Sequence, residues 1–157
     1  MAERSIASVL KTEDVEKHPG VRIPKPPPLI KMKVEISNGE LLDKFSILEI
    51  KIGKIQDESK LANVKKEYSE LLDDCTNLLR NPEINSLYSE LKSINQDLWV
   101  IEDDIRECER RKDFNEEFIS LARAVYFTND ERARVKKEIN LASGSSLVEE
   151  KSYQDYK

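Results

Sequence analysis

Polar side chains with the chemistry of a ligand site form two dense clusters in the sequence, and one further residue stands apart from them. Guanidinium and carboxylate groups dominate this set, and arginines suit ligands that carry phosphate or carboxylate groups. A pocket that joined these side chains would favour a sugar nucleotide or another phosphorylated metabolite. The candidate pocket residues are Glu49, Glu102, Asp103, Asp104, Arg106, Arg123, Asn129, Asp130 and Arg132.

An internal salt-bridge network is the other interpretation of the same residues. Arg132 falls on the predicted inner face of the last helix, where a buried guanidinium needs a partner. Glu102 and Asp104 flank the inner face of the preceding helix and are its predicted partners. Glu102 can also pair with Arg106 one turn on, in the favourable i, i+4 order. Such a network would fix the register between helices without binding any ligand.

The sequence lacks the residues of the common catalytic motifs. Its only histidine, His18, precedes the predicted bundle, which excludes a histidine-based dyad or a Cys/His zinc site inside it. There is no Gly-rich phosphate loop and no G-x-S-x-G motif. Cys75 and Cys108 fall on apolar stripes and are expected to be buried and unreactive. We predict no cofactor and no metal site, and enzymatic activity is the less favoured interpretation.

Apolar residues at steps of three and four indicate the helices that must position these side chains. The longest stripe predicts a helix from Pro82 to about Arg111. Its members are Ile84, Leu87, Leu91, Ile94, Leu98, Ile101, Ile105 and Cys108. Shorter stripes predict three more helices, at 37–56, 60–80 and 115–142. The first begins at a Ser37–Glu40 capping box, and Gly144 ends the last.

Short connections between these helices predict an all-α fold, an up-down antiparallel bundle of four helices. Residues 34–157 would form this domain with a C-terminal tail, and residues 1–33 an extended, partly disordered arm with a polyproline stretch at Pro24–Pro28. Helices three and four are longer than the other two, which leaves part of their apolar stripe uncovered. Either the segment Leu147–Tyr156 or a second copy of the chain is expected to cover it.

Charge is distributed unevenly along the chain, whose net charge is -5. Residues 1–33 carry seven Lys/Arg against four Asp/Glu, so the predicted bundle is acidic. An acidic surface repels phosphate backbones, which makes nucleic acid an unlikely partner. No apolar leader and no run of about 18 apolar residues is present, so neither export nor membrane insertion is expected and a cytoplasmic location is predicted.

Four groups of residues resemble a bacterial and phage family of unknown function, domain of unknown function 6165, over about Val34 to Tyr156. They are Gly39-Glu40-Leu41-Leu42-Asp43-Lys44 with Ile47-Leu48-Glu49-Ile50-Lys51, Leu98-Trp99 with Ile101-Glu102-Asp103-Asp104-Ile105-Arg106, Leu121-Ala122-Arg123-Ala124-Val125-Tyr126 with Asn129-Asp130 and Arg132, and Val148-Glu149-Glu150-Lys151-Ser152-Tyr153. The polar members coincide with the candidate pocket and add a candidate tail motif of Glu149, Glu150, Lys151, Ser152 and Tyr153. The resemblance implies a link to surface-polysaccharide or glycosyltransferase systems, near which such proteins occur.

Two hypotheses for function follow from these observations. The favoured one is a helical-bundle interaction or structural module, which forms a homo-oligomer or docks on another protein, because features of a bundle are plentiful and catalytic ones are not. The alternative is a ligand-binding protein or enzyme that acts on a sugar nucleotide or phosphorylated metabolite through a polar pocket inside the bundle.

Overall fold

Four α-helices joined by short connections make up about four-fifths of residues 32–152, the part of the chain that the computed structural model describes. The helices are α1 (Asn38–Lys54), α2 (Glu58–Leu79), α3 (Pro82–Arg111) and α4 (Glu116–Ala142). The all-α prediction is confirmed, and each predicted boundary agrees with the structure to within about two residues. Of the described residues, 34–152 belong to one compact unit. The predicted polyproline stretch and Tyr153 lie outside the described residues.

Side-chain caps begin the helices at the predicted places. Ser37 Oγ accepts a hydrogen bond from the backbone N–H of Glu40 at 3.2 Å, and Asn81 Oδ1 accepts one from Glu83 N. The second half of the predicted capping box is wrong. The Glu40 carboxylate contacts Lys136 Nζ on α4 at 2.5 Å, because a cation on a neighbouring helix competes successfully for it.

The last turns of α3 and α4 end in left-handed residues. Gly144, at φ 61°, ends α4, with Ser145 N donating to Asn140 O. This is the predicted glycine C-cap. Lys112 takes the same role after α3 at φ 57°, and Asp113 N donates to Cys108 O. A tight turn therefore follows each of the two long helices.

Helix α1 packs against each of the other three helices, and so does α3. Gly39 contacts Asn140, and Asp43 contacts Arg132, so α1 and α4 run antiparallel. Because α1 meets three neighbours, it buries more than the single apolar stripe that the sequence predicts. Ser46 and Asp43, on another face of the same helix, are 0% and 2% exposed.

The hydrophobic core fills the space between α1 and the facing sides of the other helices. Its buried members are Leu42, Phe45, Cys75, Ile84, Tyr88, Leu91, Val135 and Ile139. The predicted α3 stripe is buried at Ile84, Leu91, Leu98 and Cys108, whereas Ile101 and Ile105 are only half-buried. Lys54, the last residue of α1, and Val100 of α3 line the same surface cleft.

Residues 32–37 precede α1 without regular secondary structure, although their alternation of apolar and polar residues is strand-like. Glu35 Oε1 accepts a hydrogen bond from Ser146 Oγ at 3.0 Å, so this segment meets the end of α4. Within the described part of the chain, no helix is both long and apolar enough to cross a membrane.

Candidate functional site

A cleft of 470 Å³ opens between α1, α3 and α4 and brings together five of the nine candidate pocket residues. The predicted residues in it are Glu102, Asp103, Arg106, Asn129 and Arg132, and the others that line it are Ile47, Asn95, Leu98 and Trp99. Its position matches the gap in the apolar stripe of α4, since Arg132 stands there in place of an apolar side chain.

A bidentate ion pair closes the inner end of this cleft. Arg132 donates from Nε to Asp43 Oδ1 at 2.8 Å and from Nη2 to Asp43 Oδ2 at 2.5 Å. Asp43 is 2% exposed, and its hydrogen bond with Arg132 raises the pKa of the guanidinium. The predicted partners of Arg132, Glu102 and Asp104, are wrong, because α1 rather than α3 presents the carboxylate at this level of the bundle.

Amide and hydroxyl groups extend the ion pair into a network across three helices. Asn95 Nδ2, on α3, donates to Asp43 Oδ1 at 2.9 Å and to Ser46 Oγ at 2.7 Å. Asn129 Oδ1, on α4, accepts from Arg132 Nη1 at 3.4 Å. The buried carboxylate thus receives hydrogen bonds from α3 and α4 at once, which fixes the relative register of these helices.

The outer rim of the cleft carries the second guanidinium. Arg106 Nη2 lies 2.8 Å from Glu102 Oε2, and its Nη1 donates to the Glu102 carbonyl oxygen at 2.8 Å. This is the predicted i, i+4 pair. Asp103 is exposed at the rim and forms no ion pair or hydrogen bond with any residue in 32–152. Both arginines of the cleft therefore have carboxylate partners already.

Family comparison covers the same residues. The model of a family of unknown function, DUF6165, matches residues 32–156, which is more than half of the chain. The chain belongs to the DUF6165 family. Comparison with curated proteins gave no match, and neither did comparison with solved structures. The DUF6165 match includes every helix, the cleft and the tail, so it is a statement about the whole bundle.

Four of the nine predicted pocket residues do not line the cleft of this DUF6165 chain. They are Glu49, Asp104, Arg123 and Asp130. Arg123 is exposed on the outer side of α4, with its guanidinium carbon 5.9 Å from the Phe127 ring centre. Asp104 is exposed on α3. Single-stripe reasoning placed them inward, but a helix turns by about 100° per residue, so immediate neighbours face different sides.

Glu49 belongs to a second polar cluster, between α1, α2 and α3. Its carboxylate accepts hydrogen bonds from Tyr88 Oη at 2.8 Å and Tyr68 Oη at 3.4 Å, and it lies 2.8 Å from Lys92 Nζ. Burial and the neighbouring Glu49 charge raise the pKa of both tyrosines. Cys75 lies in the same region, and burial raises its pKa to about 12. The polar groups of Glu49, Tyr68, Tyr88 and Lys92 therefore have partners within this cluster.

The tail motif folds back along α4. Glu149 Oε2 accepts from Lys136 Nζ at 2.7 Å, and Glu150 accepts from Lys137 Nζ at 2.9 Å. Lys151 Nζ donates to the carbonyl oxygen of Asn129 at 3.2 Å, close to the cleft. Ser152 is exposed. One of the two predicted covers for the long helices, the C-terminal segment, thus contacts α4.

Sequence reasoning missed three residues on which the site depends, namely Asp43, Asn95 and Trp99. Asp43 and Trp99 fall within the quoted family motifs. Asn95 follows Ile94 of the α3 stripe and is 5% exposed. The available signal was the spacing of Gly39, Leu42, Asp43 and Ser46, which puts polar residues on a second face of α1. Among residues 32–152, no group of three or more His, Cys, Asp or Glu is placed to hold a metal ion.

Proposed function

We propose that this chain is a non-enzymatic interaction module that self-associates through one face of α4. The observation that carries the proposal is a continuous outer face of that helix, which combines apolar side chains with charged ones that form no ion pair within residues 32–152. Its members are Glu116, Ile119, Ser120, Arg123, Ala124 and Phe127, which line a shallow groove of 360 Å³. Ile119 is 47% exposed and Phe127 37%, so both contribute apolar surface to this α4 outer face.

Charge complementarity makes a second copy of the same chain the proposed occupant. Glu116 and Arg123 form no ion pair with any residue in 32–152. If two copies of α4 pack antiparallel about a two-fold axis between Ile119 and Ser120, Glu116 of each copy faces Arg123 of the other. The small side chain of Ser120 then leaves room for Ile119 of the second copy. The same patch is therefore self-complementary.

Gel filtration with light scattering tests the proposal. We expect a dimer at about 100 µM, in line with the micromolar affinity of a modest interface. Arg123→Glu should give a monomer, because it places like charges opposite each other. The double variant Glu116→Arg with Arg123→Glu should restore the dimer, since it exchanges the two charges.

Lys137→Glu supplies the matched control. Lys137 is also an exposed cation of α4, but it lies outside the α4 outer face and pairs with Glu150. It should leave the dimer intact. A wild-type monomer at about 100 µM, or a dimer that survives Arg123→Glu, would contradict the proposal.

A ligand-binding role is the second candidate, and the cleft of 470 Å³ is the observation that favours it. The sugar nucleotide or phosphorylated metabolite of this hypothesis is less well supported. Arg106 and Arg132 each have a carboxylate partner, so little positive charge is available for a phosphate. The implied link to surface-polysaccharide or glycosyltransferase systems stays a prediction from the resemblance.

A further inference from the structure

We infer that the cleft between α1, α3 and α4 binds an uncharged polyhydroxylated ligand, of the kind that a pyranose sugar exemplifies. This inference is independent of self-association, since the cleft and the α4 outer face share no residue. The volume of 470 Å³ falls within the range of about 300–1,000 Å³ that is usual for small-molecule sites.

The charge balance of the cleft argues for a neutral ligand. Arg132 is neutralised by the buried Asp43, and Arg106 by Glu102. Asp103 adds a carboxylate that has no partner among residues 32–152. Among the residues that line the cleft, an anionic ligand would meet this carboxylate and no cation without a carboxylate partner, which disfavours its binding.

The cleft contains both donors and acceptors that form no hydrogen bond within residues 32–152. Asn95 Nδ2 donates hydrogen bonds to Asp43 and Ser46, but Asn95 Oδ1 accepts no hydrogen bond from residues 32–152. Arg132 uses three of its five N–H groups. The Asp103 carboxylate is a further acceptor. Hydroxyl groups both donate and accept, so a polyol can satisfy this mixed set.

The aromatic side chain of Trp99 also suits a sugar ligand. Trp99 lines the cleft with Leu98 and Ile47, and its indole Nε1 has no acceptor among residues 32–152. A pyranose ring has an apolar C–H face as well as polar hydroxyls, and a flat indole suits that face. Because Arg132 and Asn95 are held by the buried network, the polar groups are already in position before a ligand binds.

Intrinsic fluorescence gives a direct test, because Trp99 is the only tryptophan of the chain. Glucose, galactose, mannose and N-acetylglucosamine are titrated separately, with maltotriose to distinguish a chain of sugars from a single one. Glucose 1-phosphate and inorganic phosphate form the charged arm. We expect a saturable change with at least one neutral sugar, half complete below about 10 mM, and binding at least about tenfold weaker for the phosphates.

Two neighbouring carboxylates provide a matched pair of variants. Asp103→Ala should weaken binding at least about tenfold, because a charge-assisted hydrogen bond to a hydroxyl is lost. Asp104→Ala, at an exposed carboxylate outside the cleft, should leave the affinity unchanged. Both variants should keep the wild-type melting temperature, because neither carboxylate has a partner within residues 32–152.

Trp99 also lines an adjacent cleft, together with Lys92 and Gln96. The variants Asp103→Ala and Asp104→Ala distinguish binding in that cleft from binding in the cleft between α1, α3 and α4. A fluorescence change that Asp103→Ala leaves intact would assign the ligand to that other cleft and overturn the inference. So would tighter binding of either phosphate, or no saturable change with any neutral sugar up to about 100 mM.

Discussion

Arg132 shows how one residue can serve the fold and border a site at once. Its guanidinium is about a quarter exposed, while its partner Asp43 is 2% exposed. Removing the arginine leaves a buried carboxylate that keeps only Asn95 as a hydrogen-bond donor. We expect Arg132→Met to reduce the free energy of unfolding by about 3 kcal/mol. Urea denaturation monitored by circular dichroism measures this change.

A second substitution identifies the cause of that loss. Asp43→Asn in the Arg132→Met background removes the stranded charge but keeps an oxygen that can accept from Asn95, and most of the stability should return. Arg134→Met is the control. Arg134 lies within 2.9 Å of Glu90, Glu131 and Glu138, yet all four side chains are substantially exposed, so the cost should stay below about 1 kcal/mol. Equal losses at the two arginines would contradict the assignment.

Cys75 makes stability depend on pH in alkaline solution. Burial raises its pKa from 9.0 to about 12, so the folded protein keeps a proton that the unfolded chain loses above pH 9. Stability must therefore fall between these two values, by up to about 1.4 kcal/mol per pH unit from this thiol. Cys75→Ala should have a shallower slope over the same interval. Parallel slopes in urea titrations between pH 9 and 11 would refute this account.

For Arg132 the sequence predicted the position of the side chain but not its partner. Arg132 was placed correctly in the interior because it interrupts an apolar stripe, whereas its ion pair with Asp43 spans 89 positions in sequence. A stripe defines which side of a helix is inside, but not which neighbour lies opposite at a given level. The same reason explains why Trp99 and Asn95 were not predicted in the cleft.

Among the elements, α1 and α4 approach each other closely at Gly39. A Cβ added at Gly39 would lie 2.4 Å from the carbonyl oxygen of Lys136 and 2.9 Å from Asn140 Oδ1. The first atom belongs to helical backbone and cannot rotate away. Asn140 Oδ1 also accepts a 2.6 Å hydrogen bond from Gly39 N, which any separation of the helices would lengthen.

Gly39→Ala should therefore destabilise the protein, although alanine is the better helix former. We expect a loss of about 2 kcal/mol or more, because relieving the clash requires α1 to move away from α4. Gly53→Ala is the matched control. Gly53 lies in the last turn of α1 with nothing within 4 Å of the added Cβ, so this change should stabilise by about 0.5 kcal/mol. Thermal denaturation of both variants decides between these outcomes.

Helix boundaries were predicted well because local chemistry determines them. Ser37, Asn81 and Gly144 cap helices through groups a few residues away, so short stretches of sequence contain the whole cause. The burial of a second face of α1 was not predicted, since it depends on contacts with three other helices. Its two buried faces are a tertiary effect that a single apolar stripe does not describe.

For the molecule as a whole, the topology followed from short connections, but the route of the tail did not. The sequence left open whether the C-terminal segment or a second copy covers the long helices. In the structure the tail follows α4, where Lys136 lies between Glu40 and Glu149. Burial lowers the pKa of Lys136, but hydrogen bonds to these carboxylates outweigh that effect and raise it overall. The tail is thus held mainly by charge.

Acid should release the tail before the bundle unfolds. The hydrogen bond from Lys136 lowers the pKa of Glu149 below its ordinary 4.5, so its contribution is complete above that value and is lost as the pH falls through the lowered one. Backbone 15N relaxation should show residues 147–152 ordered at pH 7 and mobile on the nanosecond timescale near pH 3. Glu149→Gln with Glu150→Gln should make this segment mobile at pH 7 while the core helices stay ordered. An ordered tail in that variant would show that apolar contacts, not charges, hold the segment on α4.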